Sequence, residues 1–222
     1  MLFNDTDRER VSTAIADAEG RTAGEIVVIV SARDRRYPAT ALTVAALVAL
    51  SLPFIAVLAG WSPAALFPAW DVQRAEVQEL HSIEALVAVQ VLLFAAVLGL
   101  VHFTGLGRRL TPHGLRRDRV HREALTQFKA RGLDATEGRT GILIYVSEPE
   151  HIAEVIADTA VFAKVTPDHW GATIGALIAG IRAGTPAEGM VKAIGLAGGV
   201  LAAHFPPLVD DVNELPDHLI EI

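Results

Sequence analysis

Two long stretches without charge constrain this chain more than anything else in it. Between Tyr37 and Trp70 there is no Asp, Glu, Lys, Arg or His, and between Ala85 and Phe103 the one titratable side chain is His102. Each stretch exceeds the roughly 18 apolar residues that mark a candidate membrane helix. Leu, Ile, Val and Phe number ten within Ala39 to Gly60 and thirteen within Ala85 to Leu106. Each such residue favours insertion by about 0.3 to 0.6 kcal/mol, whereas one central Arg or Asp would cost about 2.5 to 3.5 kcal/mol. The absence of charge therefore matters as much as the leucines. Two spans are expected, near 39–60 and 85–106, joined by a loop over 61–84. A soluble domain of this size seldom holds two helices apolar on every face, and these runs show no polar stripe. Pro53 removes a backbone donor, so it is expected to kink or end the first helix.

The flanking charges orient the pair. Arg33, Arg35 and Arg36 precede the first run, and Arg108, Arg109, Arg116, Arg117, Arg119 and Arg122 follow the second, while Asp71, Glu76, Glu79 and Glu84 outnumber Arg74 between them. The positive-inside rule then puts both termini in the cytoplasm of an inner-membrane protein and the 61–84 loop outside, with Trp61 and Trp70 at the outer interface. Arg108, Arg109, Arg116, Arg117 and Arg119 are expected to meet anionic lipid along the inner surface. The first 36 residues carry seven acids and six bases, so no cleaved signal peptide is expected. A net charge of −7 over 222 residues speaks against nucleic acid as a partner. Without cysteine, a disulfide framework, a thiolate zinc site and a cysteine nucleophile are all excluded.

The polar segments predict a small α/β layer with helices on both faces of its sheet. Thr6 and Glu9 have capping-box spacing ahead of Val11, Ala14, Ile15 and Ala18, which predicts an amphipathic helix ending near Gly20. Glu25 to Ser31 and Gly141 to Ser147 are short, unbroken apolar runs, the pattern of strands buried on both faces. Val120, Ala124, Leu125 and Phe128 make a further helix face, and His151 to Asp158 reads as a weaker third strand. Thr166-Pro167 and Thr185-Pro186-Ala187-Glu188 start two closing helices, with Gly195, Gly198 and Gly199 expected to permit close packing. The last 18 residues, with Pro206, Pro207 and Pro216, read as mostly loop. The polar domain thus consists of two pieces, 1–36 and 108–222, separated by the hairpin over 37–107.

Thr22-Ala-Gly-Glu25-Ile-Val-Val after an Ala-rich helix, Thr140-Gly141-Ile-Leu-Ile-Tyr-Val-Ser-Glu148, Ile156-Ala-Asp158 and the later Trp170 resemble the TPM domain family. The hairpin, His204-Phe-Pro206 and Asn213-Glu-Leu-Pro-Asp217 are similar to a bacterial subgroup of membrane proteins within it. The family includes thylakoid-lumen and photosystem II repair proteins and an auxiliary protein of a nematode acetylcholine receptor. The resemblance implies an α/β/α sandwich, here split by the hairpin, and for the plant member a weak acid phosphatase activity with acidic residues near a metal.

Chemistry is sparse in the sequence. Gly138-Arg-Thr-Gly141 lacks the spacing and the lysine of a phosphate loop, and the eight histidines contain no His-Glu-x-x-His. Ser31, Ser82 and Ser147 sit in no nucleophile elbow. Asp158, at the end of a predicted strand, is the strongest candidate for chemistry. Glu25 and Glu154 could join it as oxygen ligands to a divalent cation. The same Asp158 would equally serve as N-cap of a helix over 159–165. His102 is either a proton sensor or a solvated interfacial side chain. From Ser147 onward eleven acids face three bases, a solvated face or a docking surface for a basic partner. The expected function is a noncatalytic membrane-anchored module that binds, helps assemble or monitors another membrane protein, needing no cofactor. The alternative is a metal-dependent, acid-phosphatase-like hydrolase.

Overall fold

The computed structural model describes residues 3–33, 36–61, 75–207 and 214–222, with the side chains of 75–81, 167 and 168 outside the description. Trp70, Asp71, Arg74 and most of the predicted 61–84 loop fall outside it. The chain divides into two compact units, Met1–Asp34 with Gly114–Ile222, and Arg35–His113.

The first unit is mixed α/β. Helix α1 (Asp5–Glu19) leads to β1 (Ile26–Ser31), and α5 (His113–Ala130) leads to β2 (Ile142–Ser147) and β3 (Ile152–Ala157). Helices α6 (Thr159–Lys164), α7 (Pro167–Ala183) and α8 (Pro186–His204) follow, then β4 (Ile220–Glu221). The sheet order is β3-β2-β1-β4. Strands β1 and β2 are parallel, with Ile26 opposite Ile142 and Ser31 opposite Ser147. Strand β3 runs antiparallel to β2, and β4 parallel to β1.

Every residue of β1 and β2 is buried, which explains why both read as unbroken apolar runs. Ile26, Val28 and Val30, with Ile142, Ile144 and Val146, share a core with Val11 and Ile15 of α1, Leu177 of α7, and Met190, Ile194 and Leu201 of α8. Val27, Ile29, Leu143 and Tyr145 share another with Val120, Ala124 and Phe128 of α5. Strand β3 lies at the edge and alternates buried with half-buried positions.

Several local expectations change. Helix α1 starts earlier than Thr6: Asn4 Oδ1 accepts from Asp7 N at 2.8 Å, and Asp7 Oδ2 accepts from Asn4 N at 3.2 Å. Asn caps as well as Thr and sits first, so the box forms there. Thr185 caps α8 with no side-chain bond, so the spacing with Glu188 forms no box. Near the C-terminus, Ile220 and Glu221 extend the β1 edge. Arg8 clamps that strand to α1, donating from Nε (3.0 Å) and Nη2 (2.6 Å) to Glu221 Oε2.

Of the glycines expected to pack closely in α8, Gly198 meets Ala18, whereas nothing approaches Gly195 or Gly199. The tightest helix contact pairs Gly180 of α7 with Gly189 of α8, where a Cβ on Gly180 would lie 2.5 Å from Gly189 Cα. Gly184 ends α7 at φ 77°, a left-handed conformation that glycine adopts without a steric cost.

The second unit holds α2 (Pro38–Leu58), α3 (Ala75–Phe103) and the short α4 (Leu106–Leu110). Helix α2 continues through Pro53, so the proline does not end it. Its 21 residues span about 31 Å at 1.5 Å each, close to the roughly 30 Å of a hydrocarbon core. Ala41, Ala45, Ala49 and Pro53 are buried at four-residue spacing, a stripe of small side chains that lets helix axes approach. Arg36, just before α2, donates from Nη1 to His102 Nε2 near the end of α3 at 3.1 Å, so the helices run antiparallel. Both Pro38–Leu58 and Ser82–Phe103 are long and apolar enough to cross a membrane, yet only 22 % and 6 % of their apolar windows are buried. A core helix of a soluble domain would be mostly covered.

Candidate functional site

Two polar constellations occupy the α/β unit. The first lies at the end of the sheet where β1 and β2 begin. The turn Thr22-Ala-Gly-Glu25 is pinned there by Thr22 Oγ1 donating to Phe205 O (2.6 Å) and Thr140 Oγ1 donating to Ala23 O (2.7 Å). It delivers Glu19 and Glu25 to a corner crossed by the C-terminal segment. Glu19 Oε1 accepts from Ile26 N at 2.7 Å, and Glu25 Oε1 accepts from Glu214 N at 3.0 Å.

Burial pushes the Glu19 carboxyl up to about 9, against the Ile26 N–H, which stabilises the charged form; a hydrogen bond with Asp217 and the charges of Asp217 and Glu25 push it further. At neutral pH Glu19 therefore holds its proton, a buried carboxyl kept neutral beside Asp217. Burial also raises Glu25, opposed by the Glu214 N–H and assisted by the charges of Glu214 and Asp217. Residues far apart in the chain thus converge on one acidic corner, held by backbone donors and a retained proton. Glu19, Glu214 and Asp217 were not among the sequence candidates. The usable signal was the pair of acids in Glu214-Leu-Pro-Asp217, which nothing local connects to Glu19.

The second constellation joins α5 to β3. Arg117 Nε donates to Glu154 Oε1 at 3.1 Å, His121 Nδ1 lies 3.6 Å from Glu154 Oε2, and Arg116 Nη1 lies 3.7 Å from Glu150 Oε2. Arg119 pairs with Glu123 at 3.8 Å, and Tyr145 Oη donates to Glu123 at 3.3 Å. Three arginines expected to lie along lipid are thereby engaged with carboxylates of their own domain.

The three sequence candidates for metal ligation are placed apart. Asp158 caps α6, its Oδ1 accepting from Thr159 N at 2.6 Å while Arg139 Nη1 lies 3.8 Å from Oδ2. Glu25 belongs to the acidic corner. Ile142 N donates to Glu25 O and Asp158 N to Gly141 O, so Glu25 and Asp158 stand two strands apart, about 10 Å at the usual spacing. Glu154 sits four residues back along β3, about 13 Å from Asp158 along the strand, facing α5. Among the described residues no group of three or more His, Asp or Glu is arranged to hold a metal ion. The arrangement can retain a proton at Glu19 and lock α5 to β3 by charge.

No family model matches the chain, and no curated protein matches it. Among solved structures, it is similar to the NMR structure of the BA42 protein from the psychrophilic bacterium Bizionia argentinensis. That likeness covers 100 % of this chain and 97 % of BA42, with a TM-score of 0.58 at 19 % identity, and at that identity it is a likeness of fold.

Proposed function

We propose that the chain is an inner-membrane protein in which a TPM-like α/β/α sandwich is split by a two-helix transmembrane hairpin. Both termini lie in the cytoplasm, and the domain binds, helps assemble or monitors another membrane protein. The observation that carries this reading is the exposed apolar surface of α2 and α3. Leu58 is 72 % exposed and Leu92 70 %, in helices whose length matches a bilayer. The helices fall in the connection between the paired strands β1 and β2, so the domain is tethered through its own sheet. The basic flanks support the cytoplasmic orientation. Most ionisable side chains singled out above serve caps and ion pairs, which favours a binding module over a hydrolase.

The test is purification of the full chain from native membranes in mild detergent, alongside a phosphomonoester assay with added divalent cation. The module reading expects a membrane protein to co-purify in fixed proportion and turnover to stay at background. Metal-dependent turnover that disappears in Asp158→Asn with folding intact would move the assignment to the hydrolase.

A further inference from the structure

Hydrocarbon offers a polar side chain no water to bond, so the hydroxyls and amides along α2 and α3 need partners in protein. In α2, Thr43 Oγ1 donates to Ala39 O at 2.9 Å and Ser51 Oγ to Leu47 O at 2.6 Å, the bond that a short hydroxyl makes back to its own helix. Thr40 Oγ1 lies 2.7 Å from Thr111 Oγ1. In the Ser82–Phe103 span, Ser82, Glu84 and His102 stand in the end turns, and His102 accepts from Arg36. Gln90 is the exception: among the described residues its amide has no hydrogen-bond partner. At 1.5 Å per residue it lies about 12 Å from Ser82 and about 20 Å from Phe103, well inside the span.

Gln90 is half-buried, Val87 one turn earlier is 51 % exposed, and Phe94 one turn later is half-buried, so α2 leaves this flank of α3 open. An amide carries both N–H donors and a carbonyl acceptor, which makes it complementary to another amide. Chains inserted with one topology hold Gln90 at one depth, so a second copy brings the matching group to the same level by symmetry. A different protein would have to supply its own polar group at that depth. We propose that two copies of the chain pair in the bilayer about a two-fold axis along the membrane normal, their α3 helices parallel and their Gln90 amides exchanging N–H···O bonds. The apolar side chains around the amide gain little by leaving lipid for protein, so the amide pair sets register and stoichiometry, as one buried amide does in a coiled coil. The inference rests on the membrane-anchored reading.

The test measures energy transfer between donor-labelled and acceptor-labelled full-length chains in phosphatidylglycerol/phosphatidylcholine vesicles, across a series of lipid dilutions. The chain has no cysteine, so D17C on the exposed face of α1 gives a single labelling site. Transfer between copies is expected, with Q90L weakening association about 3- to 30-fold. Q90N, which keeps the amide, should lose less than Q90L, and L92A, on another side of α3, should change association less than twofold. No transfer at any dilution, unchanged association in Q90L, or an equal loss in L92A would each overturn the pair. Oxidation of Q90C in native membranes identifies the occupant: a cross-linked product of twice the chain mass supports the second copy, and an adduct of another mass overturns it. Carbonate extraction of the same membranes separates the two claims. A chain released into the supernatant refutes the anchored reading, whereas a monomer that stays in the pellet refutes only the pair.

Discussion

Strands β1 and β2, helix α2 and the 85–101 stretch of α3 are all written in uncharged, mostly apolar residues, and the structure uses strands and helices in opposite ways. The strands are six residues each, rich in Val and Ile, and covered on both faces. The helices run for 21 and 29 residues and leave most of their leucines uncovered. Apolar composition alone does not separate an element that is covered from one that is not; the presence of covering elements does.

The contrast is sharpest for single truncations. Ile144→Ala in β2 should lower stability by about 2 to 5 kcal/mol, since the side chain is fully enclosed. Leu92→Ala in α3 should change unfolding in detergent by well under 1 kcal/mol, because lipid or detergent takes the place of the lost methyls. Denaturant titrations of both variants against the parent measure the difference, and equal losses would mean that α3 is covered by protein.

A second comparison lies within the helices of the α/β unit. Gly180→Ala forces a Cβ into the Gly189 backbone and should cost about 1 to 3 kcal/mol by overpacking. Gly195→Ala, in open space on α8, should be neutral or stabilising by about 0.5 to 1 kcal/mol, the helix preference for Ala. Thermal melts of the two variants should shift in opposite directions.

Glu19 adds a pH dependence. Its carboxyl titrates near 9 when folded and near the ordinary carboxylate value when unfolded. Between those values the folded state binds more protons, so stability falls as pH rises through that window and is flat below it. Glu19→Gln keeps an acceptor for Ile26 N and needs no proton. It should melt like the parent near pH 5 and increasingly above it toward pH 9, and identical pH profiles would remove the retained proton. The smallest effect belongs to the surface: Arg117, largely exposed, pairs with Glu154, and Arg117→Gln should cost at most about 1 kcal/mol, less in high salt.

Period and length made β1, β2, the buried face of α5 and the starts of α7 and α8 legible, because each depends on neighbours within one element. Asp158 as a helix cap was equally readable, since its partner is the next residue. The acidic corner was not, because Glu19 meets Asp217 only after the chain has closed its sheet. Strand β4 escaped notice for a related reason: two residues carry no period, and Arg8 and the β1 edge supply what they lack. The partners of the α5 arginines were not legible either, because Glu150 and Glu154 approach Arg116 and Arg117 only once the chain has folded back along β2.

The central claim is that one sheet closes across a membrane-spanning insertion, and a disulfide reports on it directly. Ser31 and Ser147 are register partners in parallel strands, within the Cα separation that a disulfide bridges, and the chain has no cysteine of its own. Full-length S31C/S147C in native membranes, oxidised and then washed with alkaline carbonate, should be recovered cross-linked in the membrane pellet. Cross-linked protein released into the supernatant would contradict the account, because the sheet would then close with its apolar helices outside the bilayer.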